Sequence, residues 1–128
     1  MSTFIHGRNI HANGIRLHLL RYGGHGGGRA DRPAILLVPG ITSPAITWGF
    51  VGDRLGRQFD AYVLDVRGRG LSSASDTLDY SLQAQIDDVL ALMQALGPKR
   101  WALIGHSMGG RIVAGAAAAQ PAGLERVV

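Results

Sequence analysis

The 128-residue chain contains no cysteine, which excludes a thiolate nucleophile, a disulfide framework and any Cys-ligated zinc or iron–sulfur site. Aromatic residues make up only 6% and are not interleaved with the arginines, so a stacking platform for single-stranded nucleic acid is excluded. A run of positive charge is also missing. The thirteen basic residues outnumber nine acidic ones and give a net charge of +4, but they are spread from Arg8 to Arg126. Their one mild concentration is Arg8, Arg16, Arg21, Arg29 and Arg32 around Asp31. That distribution reads as a solvated basic surface and not as a nucleic-acid partner site. The opening MSTFIHGRNIHANG lacks the apolar core of a secretory signal, so a cytoplasmic location is expected. The longest uncharged stretch, residues 34–52, is interrupted by Pro39, Gly40, Pro44 and Gly49 and cannot serve as a membrane span. No residue pattern calls for a metal or a cofactor.

What is present is 46% hydrophobic and 17% charged, enough for the core of one domain over residues 1–128. Residues 8–12 and 15–21 flank Asn13-Gly14, a pair suited to a type I′ turn, and predict an opening β-hairpin. The glycine-rich segment 23–32 predicts a surface loop. Three short apolar runs, AILLV at 34–38, AYVLDV at 61–66 and WALI at 101–104, have the composition of strands buried on both faces. Helical spacing links Trp48, Val51, Leu55 and Phe59, and again Ile86, Val89, Leu90, Met93 and Leu96 within 82–96, which Gly97-Pro98 closes. A small-residue helix is predicted over 109–120, and 125–128 begins another strand. Strands alternating with helices predict an α/β fold: a hairpin, then a mainly parallel sheet with helices on both faces.

Three segments carry chemistry. Gly105-His106-Ser107-Met108-Gly109 stands between a predicted strand and a predicted helix. There the serine would occupy a strained turn with its Oγ above the sheet edge, and side chains at Gly105 and Gly109 would strike neighbouring backbone. The Met108 N–H, backed by the helix dipole, would face an oxyanion formed beside Ser107. The bland alternative is a glycine-rich turn with an incidental serine. Val38-Pro39-Gly40-Ile41-Thr42 follows the first buried strand; Ile41 N–H is the candidate second oxyanion donor, with Thr42 its neighbour, unless this is an ordinary strand-ending turn. Asp65-Val66-Arg67-Gly68-Arg69-Gly70-Leu71-Ser72 follows the next strand and has neither P-loop nor G-x-G-x-x-G spacing. Arg67 and Arg69 either organise that loop by pairing with Asp65, Asp87 or Asp88, or face the cleft and attract a substrate carboxylate.

These motifs in this order resemble the α/β-hydrolase superfamily. The segments PGITSPAITWGF at 39–50 and YVLDVRGRGLSS at 62–73 are further similar to the deformylases of bacterial nicotinate degradation, which split N-formylmaleamate into maleamate and formate. The resemblance implies that Ser107 is the nucleophile of a serine hydrolase, acting through an acyl-enzyme on a small anionic formyl amide. It also implies an order of Ser, then Asp or Glu, then His. Only 21 residues follow Ser107; they contain no histidine, and Glu125 is the sole acid among them. The triad acid and base are therefore both expected to be missing, leaving the N-terminal half of the fold, cut before its last strands and inactive by itself. His6, His11, His18 and His25 are expected at the surface, and the His106 side chain is expected to point into the fold. The sheet edge near 101–104 and 125–128 is expected to be unpaired and apolar, with a monomeric fold only in a longer protein. A carboxylesterase, C–C hydrolase or perhydrolase would use the same elbow. A non-catalytic ligand-binding half-fold is the remaining alternative.

Overall fold

The computed structural model describes residues 5–23, 32–97 and 99–128. Strands β1 (Ile5–Ala12) and β2 (Ile15–Tyr22) form an antiparallel hairpin. Both turn residues take positive φ, 53° at Asn13 and 72° at Gly14, as a type I′ turn requires. The hairpin extends three residues beyond its predicted start because the β1–β2 ladder continues to Ile5 opposite Tyr22. The loop predicted for 23–32 lies mostly outside the described residues, as does His25.

Strand β3 (Ala34–Val38) leads through a 3-10 turn at Ala45–Trp48 to helix α1 (Gly49–Leu55). Strand β4 (Asp60–Leu64), helix α2 (Leu82–Leu96), strand β5 (Trp101–Gly105), helix α3 (Met108–Ala118) and strand β6 (Leu124–Val127) follow. Ser81 caps α2 by accepting from the Ala84 N–H at 3.1 Å, which satisfies one of the first-turn donors. Gly97 closes that helix with φ of 94°, a conformation glycine adopts without steric cost.

The six strands form one sheet in the order β1-β2-β4-β3-β5-β6, with the hairpin joined antiparallel to β4 and the rest parallel. Every residue of β3 and β4 is buried, which is why their sequences are apolar runs and not alternating ones. Helices α2 and α3 cover one face through Ile86, Val89, Leu92, Ile112, Val113 and Ala116. Helix α1 and the 3-10 turn cover the other, where Tyr22, Leu37, Ala45, Ala61 and Val63 meet.

The sheet edge differs from expectation. Strand β5 is paired on both sides, with β3 and with β6, because 124–127 are long enough to complete a further parallel ladder. The outer strand is β6, and its Val127 and the following Val128 are exposed. A register shift between Trp101 and Ala102 leaves Glu125 as a bulge. Among the described residues, no helix is long and apolar enough to cross a membrane.

Candidate active site

Three loops at the C-terminal ends of the parallel strands converge. The turn from β5 into α3 holds Ser107 at φ 57° and ψ −120°, a conformation that L-residues seldom adopt and that neighbouring structure must enforce. Enforcement comes from glycine on both sides. A Cβ on Gly105 would strike the Gly109 carbonyl and lie 2.6 Å from Val113 Cγ2, and one on Gly109 would run into the Val38 carbonyl. Close packing of β3, β5 and α3 therefore leaves Ser107 in the tight turn, with its side chain exposed. Helix α3 starts at the next residue, so Met108 N–H belongs to the first turn, at the positive end of the helix dipole.

The loop after β3 lies against this turn. A Cβ on Gly40 would be 3.3 Å from Ser107 Cβ and 3.5 Å from the His106 carbonyl, and His106 N–H donates to the Val38 carbonyl at 3.1 Å. Ile41, the next residue, is exposed. The elbow and the loop bearing Ile41 are thus adjacent, which is the arrangement an oxyanion hole needs.

The loop after β4 braces the other two. The Asp65 carboxylate accepts from Ala45 N–H at 2.7 Å and from Leu71 N–H at 3.2 Å, and His18 Nδ1 stands 2.9 Å from its Oδ2. Ser72 Oγ donates to the Asp65 carbonyl and accepts from His18 N–H. Gly70, at φ 52°, has no room for a Cβ because the Asp65 carboxylate occupies that space.

A family model for the alpha/beta hydrolase fold matches residues 33–128. The chain belongs to the alpha/beta hydrolase fold family. N-formylmaleamate deformylase of Pseudomonas putida is 58% identical over 128 residues, all of this chain and 46% of that protein. Fluoroacetate dehalogenase of Burkholderia is 37% identical over 83 residues, 62% of this chain and 27% of its own length. A crystal structure of N-formylmaleamic acid deformylase from Pseudomonas putida superposes with TM-score 0.82 at 48% identity, covering 95% of this chain and 45% of that one. Epoxide hydrolase A of Mycobacterium thermoresistibile gives TM-score 0.84 at 28% identity, covering 97% and 38%. The chain spans less than half the length of these relatives.

Within this hydrolase fold, Arg67 takes the loop-organising alternative by pairing with Asp88, whereas His18 and His106 fall elsewhere than expected. Arg67 does not face the cleft: it is 7% exposed, and its Nε and Nη2 donate to the two Asp88 oxygens at 2.7 Å each while Nη1 donates to the Asp79 carbonyl at 2.8 Å. Hydrogen bonding to Asp88, helped by its charge and those of Asp79 and Tyr80, outweighs desolvation and raises the guanidinium pKa further above its ordinary value. Arg67 therefore organises the loop, held by Asp88 and the Asp79 carbonyl. Arg69 is exposed and lies at the site, with Nε donating to the Ile41 carbonyl at 2.6 Å. His6 and His11 are exposed as expected, but His18 is buried, because β2 is an inner strand whose partner at this level is Asp65. His106 is exposed, not turned into the fold; its ring stands 5.1 Å from that of Trp48 at 59°. Glu125 accepts from Arg100 Nε at 3.3 Å in the bulge of β6, away from the C-terminal end of that strand.

Asp65, His18 and Trp48 were not legible as site-supporting residues. The one local signal was an aspartate ending an apolar strand ahead of closely spaced glycines. It marks a carboxylate held at a sheet edge but does not name its partners.

Proposed function

We propose that Ser107 is the nucleophile of a serine hydrolase that cleaves a small formylated amide, N-formylmaleamate being the first candidate, to the free amide and formate. The observation that carries this reading is the strained Ser107 exposed beside Gly40; in this reading the Met108 and Ile41 N–H groups are the oxyanion donors. The likeness to N-formylmaleamate deformylase over the whole chain supports the choice of substrate.

In the proposed reaction a general base takes the Ser107 Oγ proton as Oγ attacks the formyl carbon. The carbonyl oxygen becomes an oxyanion facing Met108 and Ile41 N–H. Collapse breaks the C–N bond, the leaving nitrogen receives the proton, and a formyl ester remains on Ser107. Water, activated by the same base, then attacks that ester and releases formate. Arg69, exposed at the mouth of the site, supplies the positive charge for the substrate carboxylate.

The base and its acid are not supplied by the described residues around Ser107. The buried His18–Asp65 pair lies on β2 and at the end of β4, three strand spacings from β5 in the case of His18, or about 14 Å. Those two groups belong, in this reading, to further residues of a full-length protein of which 1–128 forms the nucleophile-bearing part of one hydrolase domain, and this chain alone does not turn over.

A fluorophosphonate probe applied to the full-length protein tests the reading. Labelling of wild type at Ser107 and none of Ser107→Ala is expected, together with formate release from N-formylmaleamate. A folded full-length protein that resists the probe would overturn it, and release from a neutral ester alone would assign the site to a carboxylesterase.

A further inference from the structure

The loop carrying the candidate donors Ile41 and Thr42 is anchored at both ends. At its start Val38 and Gly40 are packed against the Ser107 turn; at its far end Ala45 N–H is held by Asp65 at 2.7 Å. Ile41 and Thr42, between these anchors, are exposed. Two bonds fix their peptide planes. The Gly40 carbonyl accepts from Ser43 N–H at 3.2 Å, and the Ile41 carbonyl accepts from Arg69 Nε at 2.6 Å.

A peptide unit is planar and trans, so each carbonyl points opposite to the N–H of the following residue. The Gly40–Ser43 bond therefore sets the direction of Ile41 N–H, and the Arg69 bond sets that of Thr42 N–H. A cationic donor on a carbonyl also polarises the peptide and strengthens its N–H as a donor. Arg69 is itself presented by a pinned turn. Its N–H donates to the Val66 carbonyl at 2.9 Å, its Nη1 to the Gly68 carbonyl at 3.2 Å, and the next residues, Gly70 and Leu71, are packed on Asp65.

We infer that Arg69 is a positioning residue for the oxyanion loop: by locking the Ile41–Thr42 peptide it fixes the Thr42 N–H directly and immobilises the backbone on the C-terminal side of Ile41, whose own N–H is the donor to the oxygen that becomes charged beside Ser107. The inference rests on the hydrolase reading and adds to it a role separate from charge recognition. Donors aimed before the reaction stabilise the transition state more than the ground state, so loss of the clamp falls on kcat, whereas loss of a carboxylate contact falls on the KM of anionic substrates.

The test compares wild type, Arg69→Ala and Arg69→Lys of the full-length protein on a neutral ester, p-nitrophenyl acetate, with amide hydrogen exchange read over residues 41–45. Arg69→Ala is expected to lower kcat on the neutral ester by roughly 10- to 100-fold, somewhat less than outright removal of an oxyanion donor. KM should be little changed, exchange at 41–45 faster, and part of kcat restored in Arg69→Lys. An Arg69→Ala variant with wild-type kcat on the neutral ester and unchanged exchange overturns the positioning role, as does an effect confined to KM for anionic substrates. Wild type inert to both ester and fluorophosphonate overturns the hydrolase reading and this role with it. The two failures are told apart by the wild type itself.

Discussion

His18 Nδ1 lies 2.9 Å from Asp65 Oδ2, and both side chains are buried. A carboxylate only accepts, so Nδ1 carries the proton of this bond. The pair looks like the histidine and acid of a catalytic triad, yet it ties the hairpin to β4 and, through Ala45 N–H, to the loop beside Ser107. Asp65→Ala would leave His18 and two backbone donors without their acceptor. A loss of about 3–5 kcal/mol in urea unfolding is expected, because three hydrogen-bond donors lose their acceptor at once; a loss below about 1 kcal/mol would show that the carboxylate is not the brace of these loops.

Gly109 and Gly110 are adjacent in α3 and should respond oppositely to alanine. At Gly109 the added methyl runs into the Val38 carbonyl, whereas at Gly110 a Cβ would come to 3.8 Å from the Gly105 carbonyl, an ordinary contact. Gly109→Ala is expected to cost more than about 3 kcal/mol or prevent folding. Gly110→Ala should stabilise by about 0.5–1 kcal/mol through helix propensity. Thermal melts of the two variants provide the comparison.

Arg67 and Asp88 form a buried pair with two 2.7 Å bonds. Arg67→Met should destabilise by about 3–5 kcal/mol because Asp88 is left buried without a counter-charge, while the double change Arg67→Met with Asp88→Leu should recover much of that loss. Denaturant unfolding of the double-mutant cycle measures it; a double-variant loss equal to the sum of the two single losses would remove the case for coupling.

Tyr22 is buried, and among the described residues its hydroxyl has no hydrogen-bond partner. Burial, reinforced by Asp53, raises its pKa above the ordinary 10.0; Tyr62 is raised too, by burial first. A raised folded pKa contributes stability that is present below pH 10 and is lost as pH climbs through the folded value, because the unfolded chain ionises first. Stability should therefore decline above pH 10. Tyr22→Phe should shallow that decline while staying within about 1 kcal/mol of wild type at pH 7, since the lost hydroxyl had no partner. Unfolding followed from pH 8 to 11 distinguishes this from a pH-independent effect.

What the sequence determined by itself was local. Apolar runs placed β3, β4 and β5, helical spacing and Gly97 placed α2 over Leu82–Leu96, Asn13-Gly14 made the turn, and the paired glycines around Ser107 made the strained elbow. All but the elbow rest on contacts between residues near in the chain, where backbone sterics and side-chain periodicity suffice; the elbow was legible from its glycines, though its strain is enforced by the Val38 strand packed against Gly109. Tertiary structure alone decided the bracing: His18 meets Asp65 across 47 residues, Arg67 meets Asp88 across 21, and Arg69 reaches Ile41 across 28. Strand order fixes such partners, and it is a property of how layers pack. The same packing decided which of two similar arginines was buried in an ion pair and which was left at the mouth of the site.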